Sequence, residues 1–447
     1  MLVSHLKGVL SDPVQSDSMV EETSQQQPSR RGLLYFCFVS LVLFVAACFL
    51  YFPWRCWQIR SALAKREFAN AVTLATHLVQ SSPQASEGHY LLAKAARRSG
   101  DFAEAASELK RAEELGWNSV EIQRETILAR VQSGQIETCK PQLKTIFASD
   151  LNHDETTEVY EALANGHLAA FDGPEFQQCL NYWIDWDPEA IQPHLMRAQF
   201  FERLANHTDA EKCYADIVRD HPDCREARLR QAACLIELNQ PSAAIEPLKA
   251  CLKQKREPRA AVLLAKSWVQ TGEMAAAGHL LAEFVDTADE AIRAEVLEQL
   301  GRWHLDQRQA PEAIQRLEAA VKLTPENGTA WHALAAAYSL IGNSEKAAQA
   351  LKTSQDSLAR LQQLAELMVQ INLNPQKLEL RMEVAQILFD QKLDKDAVAW
   401  LNTILHQDLH HAPANDLLAQ YYERIGNAPL ARQHRALAQS PADPSQP

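Results

Sequence analysis

Glycine is scarce in this sequence, with 14 in 447 residues, and segments that alternate apolar and polar residues as strands do are few. Almost every segment has the spacing of a helix, which predicts an all-α chain. Cys-x-x-Cys pairs are absent, which argues against zinc knuckles and c-type haem. The phosphate-binding, dinucleotide-binding, metalloprotease and nucleophile-elbow motifs are also missing. We therefore expect no catalytic residue, no cofactor and no metal site.

Basic residues are fewer than acidic ones. The chain has 44 Lys and Arg against 57 Asp and Glu, which gives a formal net charge of -13. Such a surface argues against nucleic acid as a partner and favours basic partners. At 47% hydrophobic and 23% charged residues, the composition is typical of a folded protein with a core.

One long stretch lacks charge altogether, GLLYFCFVSLVLFVAACFLYF at 32–52. A helix of this length, at 1.5 Å per residue, crosses the roughly 30 Å apolar core of a bilayer. Trp54 and Trp57 follow it, where an interfacial aromatic belt would lie. We predict an uncleaved transmembrane helix over 32–53. A buried core helix and lipidation at Cys48 are the alternatives.

The predicted anchor divides the chain into four parts. Residues 1–31 form a flexible polar N-terminal tail, residues 54–438 a continuous helical array, and residues 439–447 a disordered C-terminal tail. This arrangement predicts a single-pass protein of a bacterial inner membrane. Basic residues flank both ends of the apolar run, so the side of the membrane stays open, although a short N-terminal tail favours an array outside the cytoplasm.

The helical array is periodic. A small residue recurs along it, and five of the ten successive steps are 34 residues long, the longest step being 50. The series is Ala71, Ala105, Cys139, Cys179, Ala210, Ala244, Ala277, Ala313, Ala347, Ala397 and Ala431. A large residue follows four positions later in most units: Leu109, Leu143, Trp183, Tyr214, Leu248, Leu281, Leu317, Leu351 and Leu401.

This spacing has a physical cause. A small residue lets two antiparallel helices approach closely, and the large residue fills the next layer between repeats. Glycine turns separate the two helices at Gly100, Gly272 and Gly342. We predict about eleven helix pairs that stack and bury one continuous core.

The pattern resembles the tetratricopeptide repeat (TPR). Residues 328–361 carry it most fully, with Trp331, Leu334, Ala335, Tyr338, Gly342 and Ala347; 294–327 and 86–119 follow it closely. The resemblance covers about 54–438 and implies an all-α, right-handed superhelical solenoid that binds proteins. The Lys and Asn pattern by which some TPR domains hold a peptide carboxylate is missing, which argues against a receptor for chaperone tails.

Two places depart from the period. Residues 164–190 contain an irregular turn, and Trp183 and Trp186 within them are expected to be exposed. Residues 344–372 contain neither Gly nor Pro, which predicts one long helix ending near Pro375. Such departures change the course of a solenoid or mark a docking surface, although neutral drift also explains them.

Nine cysteines leave a structural disulfide as an alternative. Cys139 and Cys179 replace Ala at the helix crossing, which predicts buried free thiols acting as small apolar side chains.

Glutamate recurs near the start of the first helix of many pairs, at Glu87, Glu121, Glu161, Glu226, Glu295 and Glu379. First helices line the groove in TPR proteins, so these carboxylates are candidates for an acidic groove that holds a basic or extended protein segment. The competing explanation is that Glu favours the first turn of any helix.

The sequence therefore predicts a membrane-anchored, non-catalytic TPR scaffold that binds proteins or extended peptides and assembles or tethers a complex. A regulatory subunit of a membrane-associated enzyme and a self-assembling structural envelope protein, acting as a homo-oligomer, are the alternatives.

Overall fold

The computed structural model describes residues 51–287 and 289–439, and every regular element among them is a helix. The all-α prediction is confirmed there. The helices are α1 (51–64), α2 (Phe68–Ser81), α3 (Ser86–Ser99), α4 (Phe102–Glu114), α5 (Ser119–Gln132), α6 (Ile136–Phe147), α7 (His153–Ala169), α8 (Gly173–Trp186), α9 (Ile191–Arg203), α10 (His207–Asp220), α11 (Arg225–Glu237), α12 (Pro241–Gln254), α13 (Pro258–Thr271), α14 (Met274–Ala282), α15 (Glu290–Asp306), α16 (Ala310–Leu323), α17 (Gly328–Leu340), α18 (Ser344–Leu373), α19 (Leu378–Asp390), α20 (Asp394–Gln407), α21 (Ala412–Arg424) and α22 (Ala428–Gln439).

The helices form antiparallel pairs that stack in chain order. Every small residue of the predicted series lies in the second helix of a pair and is at most 9% exposed. Cys139 and Cys179 are both buried and free, as predicted for thiols that replace Ala at a crossing. The core is therefore a row of similar clusters, one between each pair and the next.

Each pair is closed by a left-handed residue. In all eleven turns within pairs, one residue has positive φ, and in five of them it is glycine, as predicted at Gly100, Gly272 and Gly342. In the other six turns the residue with positive φ is not glycine; these residues are Arg66, Phe171, Ala205, Asn239, Arg308 and Lys392. These six residues adopt a conformation that is uncommon without glycine.

The predicted long helix is confirmed as α18, which has 30 residues and ends two positions before Pro375. The length of α18 changes how the next helix pair packs. Leu317, the large residue of the preceding pair, is fully buried, whereas its counterpart Leu351 is 40% exposed. The expectation that Leu351 fills a layer between repeats is therefore wrong, because α18 runs on past the point where the next pair would stack.

Trp183 corrects a second expectation. Its ring is fully buried, stacked on Tyr160 with ring centroids 6.1 Å apart, and packed in a cluster with Phe176 and Leu180. The predicted exposure is wrong because Trp183 occupies the large-residue position four residues after Cys179. Trp186, at the end of α8, is 39% exposed as expected.

Helices α19, α20 and α21, which follow α18, return to the inner side of the early pairs. Phe171, in the α7–α8 turn, packs with Leu367 and Ile371 of α18 and with Val384 of α19. Further along, the Asp101 carboxylate of the α3–α4 turn lies close enough to Tyr422 of α21 to add to the rise in its pKa, which burial causes first. The chain thus curves until its last pairs face its first ones.

None of the helices within 51–287 and 289–439 has both the length and the apolar character needed to span a bilayer. The predicted transmembrane helix over 32–53 lies outside these residues except for its last three positions. The tails predicted at 1–31 and 439–447 also lie outside them, except for Gln439, which is the last residue of α22.

Close packing of α5 on α7 predicts the effect of one methyl group. A Cβ added at Gly166 of α7 would lie 2.1 Å from the Val131 carbonyl oxygen of α5, so the two helices would have to separate. We expect Gly166→Ala to lower the free energy of unfolding by about 2 kcal/mol. Gly88→Ala in α3 is the matched control, since its Cβ would meet nothing closer than 3.7 Å and Ala favours a helix. Thermal unfolding of the purified chain followed by circular dichroism compares them; equal midpoints would contradict the described packing.

Candidate functional site

A cavity of about 1650 Å³ lies between the returning helices and the inner side of the early pairs. One wall comes from α3, α5, α7 and α9 with the turns beside them, and the other from α18 and α20. Small-molecule sites span roughly 300–1,000 Å³. The cavity is therefore large enough for a segment of polypeptide.

Phe171 joins the two walls. Its ring stacks on Trp400 of α20 with centroids 5.6 Å apart and an interplanar angle of 30°. The Arg381 guanidinium of α19 lies over the same ring, 4.1 Å from its centroid. These contacts connect residues more than 200 positions apart in the sequence and close the cavity at the α7–α8 turn.

The backbone of Phe171 lies in the left-handed region, as it does for five other non-glycine turn residues. Its φ is 57°, at the turn position that glycine occupies as Gly134 in the preceding pair, with φ 96°. A side chain in this region costs about 1–2 kcal/mol, and a bulky one there is a true outlier. The contacts with Trp400 and Arg381 offset that cost.

Arg381 is fully buried, and no carboxylate among the described residues pairs with it. It donates from Nη1 to the Thr403 carbonyl oxygen at 3.1 Å and from Nη2 to the Pro375 carbonyl oxygen. Burial lowers the pKa of Arg381 to about 10, so the guanidinium remains charged at neutral pH. Two carbonyls and the Phe171 ring therefore stabilise this cation in place of an anion.

The opposite wall is braced by an ion cluster. Its members come from four successive segments of the early pairs: Arg66 of the α1–α2 turn; Lys94, Arg97 and Arg98 of α3; Glu125 of α5; and Glu158 and Glu161 of α7. We call these seven residues the inner ion cluster. It links helices that are up to 95 residues apart in sequence.

The centre of the inner ion cluster is buried. Arg97 Nε lies 2.6 Å from Glu125 Oε2, and the two side chains are 3% and 2% exposed. Burial alone would raise the pKa of Glu125, but Arg97 and Lys94 outweigh it and hold that pKa below its ordinary value. Burial would likewise lower the pKa of Arg97, and Glu125 with Glu158 raises it instead. The charges thus hold one another ionised without water.

Of the predicted groove carboxylates, the structure brings only Glu161 to the cavity. Five of the six carboxylates have partners within the chain: Glu87 with Arg60 at 2.9 Å, Glu121 with Trp117 Nε1 at 2.9 Å, Glu161 with Arg66 and Arg98, Glu226 with Arg230 at 3.1 Å, and Glu295 with Lys266 at 3.1 Å. Glu379 is exposed on α19. An acidic groove formed by the six stays a prediction.

Within the described residues, no group of three or more His, Cys, Asp or Glu side chains is placed to hold a metal ion. Burial raises the pKa of the Cys179 thiol to about 12, which keeps it protonated. Burial lowers the pKa of His167 in the cavity wall, so its imidazole is neutral at pH 7. The wall is therefore suited to binding by shape, charge and hydrogen bonds.

Comparison with known proteins identifies the repeats. Residues 58–120, 195–256 and 298–359 match the tetratricopeptide repeat family. The chain is an all-α TPR solenoid, a fold that serves as a scaffold for protein–protein interaction. No curated protein matches its sequence.

Several solved structures are similar to it. A human IFIT1 dimer with PPP-AAAA is 17% identical, covering 79% of this chain and 90% of that one, with a TM-score of 0.39. YrrB, a TPR protein with an unusual peptide-binding site, is 16% identical over 40% and 93% of the two chains, with a TM-score of 0.33. MamA is 18% identical over 37% and 96%, with a TM-score of 0.32.

The contact of Phe171 with Trp400 and Arg381 can be tested by its effect on local stability. We expect Phe171→Ala to destabilise the attachment of α19 and α20 by about 2 kcal/mol, because it removes the ring on which Trp400 and Arg381 pack. Amide hydrogen exchange in those helices should then be ~30-fold faster, with α11–α14 unchanged. Arg308→Ala is the control, since Arg308 has the same left-handed turn position and an exposed side chain. Unchanged exchange in α19 and α20 would show that Phe171 does not hold the walls together.

Proposed function

We propose that this TPR chain is a membrane-anchored, non-catalytic scaffold that holds an extended segment of a partner protein in its cavity. In doing so it tethers the partner to the membrane and supports assembly of a complex. The observation that carries the proposal is the cavity itself, formed where two distant parts of one solenoid face each other.

The chemistry of the wall supports a polypeptide ligand. Amide side chains such as Gln132, Asn165 and Gln199 line it, and each both donates and accepts hydrogen bonds, as a peptide backbone does. Aromatic rings such as Phe102 and Phe200 also line it and suit apolar side chains. An extended segment could therefore satisfy its backbone and bury side chains at the same time.

The start of α1 supports the anchor. Tyr51, Trp54 and Trp57 are 42%, 49% and 63% exposed, and they lie within the last turn of the apolar run 32–52 or just after it. Exposed Trp and Tyr beside an apolar run are typical of the membrane interface. We propose that the anchor lies in a bacterial inner membrane and that the solenoid lies outside the cytoplasm.

Occupying the cavity with a side chain should block binding. Short random peptides selected on the purified full chain should bind it and lose at least about tenfold in affinity on Ala399→Trp, since Ala399 is exposed to the cavity. Ala359→Trp is the control, because Ala359 is an exposed helical residue of α18 away from the cavity wall. Isothermal titration calorimetry measures both. Peptides that bind both variants equally would locate recognition elsewhere.

Membrane attachment has its own test. In bacterial cells, the full chain with a C-terminal tag should sediment with membranes and be released by detergent but not by carbonate, whereas deletion of 32–53 should free it. A membrane-impermeant protease added after permeabilisation of the outer membrane should remove the tag while a cytoplasmic control survives. Protection of the tag until lysis would overturn the proposed side of the membrane, and release by carbonate would overturn the anchor.

A further inference from the structure

We propose that the cavity selects partner segments that carry a carboxylate, and that this carboxylate binds at Arg66 and Arg98 beside Phe68. The inference rests on the proposed function and gives its ligand a chemistry. It differs from the basic partner that the composition suggests, because the charge of the cavity wall differs from that of the whole surface.

Charge is unbalanced in the inner ion cluster. Its four cations, Arg66, Lys94, Arg97 and Arg98, face three carboxylates, those of Glu125, Glu158 and Glu161. The neighbouring pair Arg124 and Glu155 is balanced within itself, with 2.6 Å between charged atoms. The other charged side chains of the wall are Arg203 and Asp172, one of each sign. Among the seven members of the cluster, cations therefore outnumber carboxylates by one. Glu121 is a neighbour and not a member, since it accepts a hydrogen bond from Trp117 Nε1.

The excess charge reaches the cavity at Arg66. Most members of the cluster are far from water; the Arg98 and Glu161 side chains, for example, are 8% and 9% exposed. The Arg66 side chain is 32% exposed and lines the cavity. Arg66 and Arg98 share the single carboxylate of Glu161, so two cations there face one anion. A second anion is therefore attracted to this point. A ligand carboxylate would complete the cluster at this point.

Phe68 holds the two guanidinium groups side by side. The Cζ atoms of Arg66 and Arg98 lie 5.6 Å and 4.6 Å from the centre of its ring. Both groups share one carboxylate, that of Glu161. A guanidinium has five N–H donors in a planar fork, so the exposed Arg66 keeps donors that a carboxylate can accept in pairs.

A protein carboxylate fits the wall better than nucleic acid does. Nucleic acid brings one negative charge with every nucleotide, and its binding depends on neutralising many of them. The wall offers three arginines, Arg66, Arg98 and Arg203, and also carries the carboxylates of Glu161 and Asp172. This balance suits one or two anionic groups on an otherwise neutral, apolar segment.

Arg66→Gln tests the proposal. Peptides selected on the full chain should be enriched in Asp and Glu or should require a free C-terminal carboxylate. Arg66→Gln should weaken the best of them about tenfold or more, the loss expected for one charged hydrogen bond. Folding should be preserved, because the cluster then has three cations and three carboxylates. Arg203→Gln is the matched control, since it lines the same cavity outside the cluster.

Two peptide changes identify the anion. Replacing each Asp or Glu by its amide should cost the same affinity as Arg66→Gln if a side chain is the ligand, whereas amidating the C-terminus should do so if the terminus is. The cost should be much smaller on the Arg66→Gln protein in either case, because one of the two arginines that bind the carboxylate is then missing.

The outcomes separate this inference from the proposed function. Peptides that are blocked by Ala399→Trp but are indifferent to Arg66 and to their own carboxylates would overturn the inference and leave the function standing. Failure to select any peptide blocked by Ala399→Trp would overturn both. A single-stranded RNA oligonucleotide that binds in an Arg66-dependent way and displaces the peptides would overturn the inference in favour of nucleic acid.

Discussion

A small residue at each helix crossing is the constraint on which the rest of this structure depends. It lets the two helices of a pair approach, and the pairs can then stack with one continuous core. Cys139 and Cys179 meet the constraint as well as Ala does, since both are buried and unpaired. Because each pair is slightly rotated on the last, a regular series of such crossings also makes the chain curve, and curvature brings its distant parts together.

The one large break in the series of small residues determines which distant parts of the chain the curvature brings together. The step from Ala347 to Ala397 is 50 residues, and the additional length goes into α18. The next pair therefore cannot stack on Leu351 and is carried across to the α7–α8 turn, where Phe171 and Arg381 meet. The exposed face at Leu351 and the cavity are two results of the same long helix.

Periodic features were predictable from sequence and long-range ones were not. The series of small residues, the glycine turns and the 30-residue α18 follow from local spacing. The contact of Phe171 with Trp400 depends on the summed rotation of many pairs, which no local pattern contains. The pairing of the Glu161 carboxylate was unpredictable for the same reason, because Arg66 stands 95 residues away in sequence. The one local signal for Phe171 was a bulky residue at a turn position that favours glycine.

The two walls of the cavity are held by forces of different size. The wall formed by α3, α5, α7 and α9 is braced by the seven charged side chains of the inner ion cluster, which come from four segments. Separating them would leave buried charges unpaired, which costs several kcal/mol for each charge. The wall formed by α18 and α20 is held to the first wall by Phe171 at the α7–α8 turn, a contact that contributes on the order of 2 kcal/mol. Opening at this turn is therefore far less costly than unstacking the repeats. The wall that carries the inner ion cluster is therefore the firmer of the two, and it is the wall on which we propose that a ligand carboxylate binds.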